Sequence, residues 1–122
     1  MSDIDNLAGD TRPIGVFDSG LGGLTVARAI ATALPHESVY YFGDIKRCPY
    51  GTRTEDEVRS FALQAGRWLS RHDVKIMVIA CNTATAAALR LAQQVLDVPV
   101  IGVSRPGRTA PPSTARVRAA WA

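Results

Sequence analysis

The sequence predicts an α/β fold, three-layered around a mostly parallel sheet, and three observations carry that expectation. Short apolar runs alternate with segments whose apolar residues fall at helical spacing. At least one run is apolar almost throughout, as a strand covered on both faces must be. The strand–helix–strand order repeats along the chain, and right-handed crossovers then make the sheet parallel.

Each element follows in turn. Residues 1–12 have no apolar periodicity and read as a disordered leader. Ile14–Phe17 is a buried strand stopped by Asp18-Ser19-Gly20. Leu24 to Leu34 is a helix with Leu24, Ala27, Ala31 and Leu34 on one face, closed by Pro35. Ser38 to Phe42 is rich in β-formers and gives the second strand. Gly43 to Arg53 is a loop. Thr54 and Glu57 form a capping box at the start of a helix whose face is Val58, Phe61, Ala62, Ala65 and Leu69. That helix ends near His72-Asp73. Lys75 to Ala80 is the third strand, Asn82 or Thr83 caps an Ala-rich helix to about Leu96, and Pro99 to Val103 is the fourth strand. The α/β unit therefore occupies residues 13–103, and residues 104–122 form a basic Pro/Arg/Ala-rich tail that reads as disordered.

Charge sharpens this division. The 122 residues carry a net +3, yet the stretch up to Asp97 holds ten basic and eleven acidic side chains and is net −1. The basic excess lies in Arg105, Arg108, Arg116 and Arg118, so it is no argument for a nucleic-acid partner. The acidic N-terminus is unlike a signal peptide, and no apolar run reaches membrane-spanning length. A cytoplasmic chain without a disulfide framework is the expectation.

In parallel sheets, ligands bind at the carboxyl ends of the strands. Three polar clusters fall there: Asp18-Ser19-Gly20, Asp44 through Gly51, and Cys81-Asn82-Thr83. Gly20-Leu21-Gly22-Gly23 allows close backbone approach, and its amides at a helix N-terminus favour an anion. A tight turn explains the same glycines, and Asp18 reads equally well as an N-cap. Thr25 stands where a dinucleotide fingerprint needs Gly or Ala. Cys81 directly precedes a helix, whose N-terminus favours a thiolate, although a lone cysteine is commonly an inert core residue. Ala87 occupies the place of the arginine in a tyrosine-phosphatase loop. His36 and His72 read as surface residues, and two Cys and two His scattered along the chain give no metal-ligand spacing. Lys46-Arg47 and Glu55-Asp56-Glu57 read as solvated faces, and Trp68 as helix packing.

Three segments together resemble glutamate racemase, of the aspartate/glutamate racemase superfamily. They are Phe17-Asp18-Ser19-Gly20-Leu21-Gly22-Gly23-Leu24-Thr25-Val26, Tyr41-Phe42-Gly43-Asp44 with Pro49-Tyr50-Gly51, and Ala80-Cys81-Asn82-Thr83-Ala84. The resemblance spans about Pro13 to Val103. It implies cofactor-independent interconversion of L- and D-glutamate for peptidoglycan, with two cysteines facing the α-carbon from opposite sides. It implies Cys81 as one acid/base, and Asp18, Ser19, Tyr50, Gly51, Asn82 and Thr83 as substrate contacts. It also implies two α/β lobes, a homodimer as the family's assembly, and glutamate as ligand. The second cysteine of the family lies in a Cys-Thr-His motif, which these 122 residues do not contain. Cys48, in the loop before Pro49, is not its substitute. One incomplete lobe of a truncated or frameshifted racemase, inactive alone, is therefore the expectation. The alternative is a non-catalytic remnant that binds an amino acid or a protein.

Overall fold

The computed structural model describes residues 9–103. The elements are β1 (Ile14–Asp18), α1 (Leu24–Ala33), β2 (Val39–Gly43), α2 (Glu55–Arg71), β3 (Ile76–Ile79), α3 (Asn82–Val95) and β4 (Val100–Gly102). The loop between β2 and α2 contains two short 3-10 turns, Ile45–Arg47 and Tyr50–Thr52. The expected leader up to residue 8 and the tail from residue 104 lie outside the described residues. Asp10 and Arg12, also assigned to the leader, are joined by an ion pair at 2.7 Å.

All four strands are parallel, in the order β2-β1-β3-β4. Alternation along β1 and β3 sorts the core into two layers, because successive side chains point to opposite faces. Ile14, Val16, Ile76 and Val78 meet Val26, Ala27 and Ile30 of α1. Phe17, Met77, Ile79 and Val100 meet Ala62, Ala65 and Leu69 of α2 and Ala84, Ala88 and Ala92 of α3. Helices thus lie on both faces, and the small residues of α3 let it pack closely against α2.

The capping box forms as expected: Thr54 Oγ1 accepts from the Glu57 amide, and Glu57 Oε1 accepts from the Thr54 amide. α1 corrects its expected face. Val26, Ala27 and Ile30 are buried, whereas Leu24 and Leu34 are 42% and 38% exposed. Helical spacing fits either stripe; the β-branched pair Val26 and Ile30 faces the sheet. Lys75, inside an otherwise apolar segment, is buried with its Nζ donating to Glu37 Oε1 at 2.7 Å and to the Asp10 carbonyl at 2.6 Å. This ion pair ties the amino edge of the sheet to the turn before β2.

Candidate active site

Strand order reverses direction at β1 and β3: β2 lies beyond one, β4 beyond the other. The carboxyl ends of these two strands flank the crevice where doubly wound sheets place ligands. β1 ends in Asp18, in register one residue beyond the Phe17–Ile79 pair, and β3 leads through Ala80 into Cys81. The structure therefore brings Asp18-Ser19-Gly20 and Cys81-Asn82-Thr83 to one edge, as the sequence predicts.

The glycine turn uses its amides differently from the anion-site reading. Asp18 Oδ2 accepts from the Gly23 amide at 2.8 Å and the Gly20 amide at 3.2 Å. The protein's own carboxylate therefore lies against the start of α1, whose N-cap is Gly23 and not Asp18. A Cβ on Gly23 would lie 2.5 Å from Asp18 Cβ and 3.2 Å from Ala80 Cβ, so the glycine is needed for close approach. Gly20 faces Cys48, whose Sγ would be 3.0 Å from such a Cβ. Cys48 is exposed and stands at this same edge. Tyr41, from β2, donates its hydroxyl to the Gly20 carbonyl at 2.5 Å. Burial and the nearby Asp18 charge push the Tyr41 hydroxyl up to about 12, so it remains a donor.

Cys81 is buried, 7% exposed, and is itself the N-cap of α3. Its Sγ accepts from the Ala84 amide at 3.4 Å. The expected caps, Asn82 and Thr83, are instead the first residues within the helix. The sulfur occupies the position a serine oxygen would, so the geometry of the N-terminus selects it. Asn82 carries a buried Oδ1 without a hydrogen-bond partner among the described residues. Thr83 and Gly51 line one shallow cavity of about 270 Å³, together with Val58 and Ala87.

Tyr50, an expected contact residue, is turned inward. Its side chain is 2% exposed, with ring centroids 6.1 Å from Phe17 and 5.4 Å from Phe61. Its hydroxyl donates to Asp44 Oδ2 at 2.5 Å. Burial first, then Asp44, drive this hydroxyl well above the usual phenol range. Gly51, next to it, is exposed with open space around its Cα. Ser19 is half-buried beside Asp18. His36 and His72 are exposed; His72 stacks on Trp68 at 3.9 Å. Arg47 corrects the solvated reading of its pair: it bonds Asp44 and Gln64 and lies 3.9 Å above the Phe61 ring. Tyr41 and Arg47 are supporting residues that spacing alone does not single out, whereas Asp44 opens the second of the three strand-end clusters.

The Asp/Glu/hydantoin racemase family model matches residues 14–109. The chain belongs to this family. Relatives within it are glutamate racemases. The chain is 60% identical to glutamate racemase of Staphylococcus haemolyticus over 100 residues, and 57% identical to that of Limosilactobacillus reuteri over 101. These alignments take in 81% and 83% of this chain but 38% of each relative, so it spans about two fifths of their length. Among solved structures, a glutamate racemase isoform of Bacillus anthracis superposes with TM-score 0.72 and 52% identity, covering 75% of this chain and 34% of that one. The Francisella tularensis glutamate racemase, solved with D-glutamate, gives TM-score 0.73 at 47% identity, covering 76% of this chain and 36% of the other. The family match runs a few residues past Val103, where the motif resemblance ends. The α/β architecture is thus the racemase-family architecture. No helix among the described residues is long and apolar enough to cross a membrane.

Proposed function

We propose that this chain supplies one acid/base wall of a glutamate racemase. The observation that carries the proposal is Cys81: a buried sulfur at the β1–β3 crevice, capping α3 and accepting its Ala84 amide. Removing an α-proton from an amino acid generates carbanion character, so the site needs a strong base and fixed donors near it. A Cys81 thiolate at a helix N-terminus has such a donor in place. The Asn82 oxygen, without a partner among the described residues, suits the α-ammonium of the substrate, and the exposed Gly51 backbone and Thr83 hydroxyl suit a carboxylate. Asp18 holds the glycine turn and Ser19 stands beside the opening. Tyr50 serves through its position in the loop, since its hydroxyl proton is engaged by Asp44.

In this reading the Cys81 thiolate takes the α-proton from one face of glutamate, and a second thiol returns a proton to the opposite face. That second group belongs to the part of the racemase that this chain does not span. The reaction uses no cofactor, and its product is D-glutamate for peptidoglycan, made in the cytoplasm by a homodimeric enzyme. Alone, the chain carries one base and exchanges the α-proton of a single enantiomer without inverting it.

Proton NMR in D₂O tests this directly. Loss of the α-proton signal is expected from one glutamate enantiomer and not the other, with no inversion by circular dichroism, and Cys81→Ser abolishes the loss. Equal exchange by the Cys81→Ser chain would sink the proposal.

A further inference from the structure

Asp44 is buried and lies at the carboxyl end of β2, yet nothing in the proton transfer above uses it. Its amide donates to the Asp18 carbonyl at 3.0 Å, which fixes it to the end of β1. Its Oδ2 accepts two bonds, from Arg47 Nε at 2.7 Å and from the Tyr50 hydroxyl at 2.5 Å. The Arg47 amide also donates to the Asp44 carbonyl at 3.3 Å. Arg47 is held in turn by Gln64 and by the Phe61 ring, and the Tyr50 ring sits against Phe17 and Phe61. One residue therefore connects the β1 end to both 3-10 turns of the loop that presents Gly51, through its amide to Asp18 and its carboxylate to Arg47 and Tyr50.

From this we infer that Asp44 is a positioning residue, setting where Tyr50 and Gly51 stand against the Cys81 side of the crevice. The inference rests on the racemase reading and extends it to the loop. A buried carboxylate needs compensation, and Arg47 supplies the charge while Tyr50 supplies a second donor. Both donors come from the loop, so satisfying the carboxylate and ordering the loop are one event. The same arrangement removes Tyr50 from proton transfer: its hydroxyl proton faces Asp44 and is held there by burial. Asp44 acts through the loop and does not itself touch the reacting atoms.

The test uses the 122-residue chain carrying Cys48→Ser, so that iodoacetamide alkylation reports Cys81 alone. Two quantities are read: amide hydrogen exchange in residues 44–53, and the L- or D-glutamate concentration that half-protects Cys81. Asp44→Ala and Tyr50→Phe are each expected to speed loop exchange and raise the protecting concentration by about tenfold, the scale for losing a charge-assisted hydrogen bond. Exchange in β1 and β3 stays unchanged. The double variant matches Asp44→Ala, because that substitution already removes the bond to the Tyr50 hydroxyl. Asp44→Asn keeps an acceptor for Tyr50 and falls between wild type and Asp44→Ala.

Unchanged loop exchange in Asp44→Ala, or additive effects in the double variant, overturns the inference. So does a loosened loop that leaves glutamate protection unmoved. A wild-type chain that neither enantiomer protects refutes the racemase reading and the positioning role with it. The exchange data then still decide, separately, whether Asp44 anchors the loop.

Discussion

The Asp18 carboxylate accepts the Gly23 amide at 2.8 Å, closing the turn that joins β1 to α1 around a single oxygen. The closeness of that turn depends on the missing side chain. Gly23→Ala would drive a Cβ into Asp18 Cβ, with Ala80 behind it and no flexible side chain to yield. The expected loss is about 1–3 kcal/mol, the range for overpacking. Gly22→Ala meets only Asp18 Oδ2, at 3.7 Å, and should be close to neutral. Urea unfolding of both variants checks the contrast.

Cys81 has two separable roles. As N-cap it needs an acceptor, which serine also provides, so Cys81→Ser should leave stability within about 1 kcal/mol of wild type. Cys81→Ala removes the acceptor and should cost about 0.5–2 kcal/mol. Thermal melts of the pair would separate capping from chemistry, since both lose the thiol.

Lys75 and Glu37 form an asymmetric ion pair: the lysine side chain is 4% exposed and the glutamate 27%. Glu37→Gln leaves a buried ammonium without its counter-charge, with only the neutral Asp10 carbonyl and the new amide oxygen to receive it. Burial arguments put that cost near 3–5 kcal/mol, and the exposure of Glu37 lowers the expectation to about 2 kcal/mol. Lys75→Met leaves a carboxylate that water can reach, so it should cost less. Denaturation midpoints that rank the two variants the other way would refute this account.

Tyr41 makes stability fall at alkaline pH. Burial, then the Asp18 charge, push its hydroxyl up to about 12 in the folded chain from 10.0 for a free tyrosine. The folded state therefore keeps a proton that the unfolded state releases. Its contribution is complete below pH 10 and is lost as pH rises toward 12. Tyr41→Phe should flatten that alkaline decline while lowering stability at neutral pH by about 1 kcal/mol, through the Gly20 carbonyl left without its donor. Urea unfolding between neutral and alkaline pH is the measurement.

Much of the lobe was legible in local patterns. Thr54 and Glu57 cap α2 as their spacing says, because a capping box is complete within four residues. The three motif clusters meet at one edge because strand–helix alternation alone sends every strand's carboxyl end the same way. The buried face of α1 is not legible in this way, because Leu24 and Leu34 share helical spacing as well as Val26 and Ile30 do, and only docking on the sheet distinguishes them.

By itself, then, the order of residues determined the α/β class, the element sequence, the crevice and the family to which the chain belongs. Tertiary structure alone decided which groups in that crevice remain available. It occupied the Gly20 and Gly23 amides with Asp18, turned the Tyr50 hydroxyl inward to Asp44 and left the Asn82 oxygen without a partner among the described residues. The physical reason is range. Periodicity and capping are settled within a turn or two of chain, whereas hydrogen-bond partners such as Tyr41 and Gly20 meet only after the strands between them have paired.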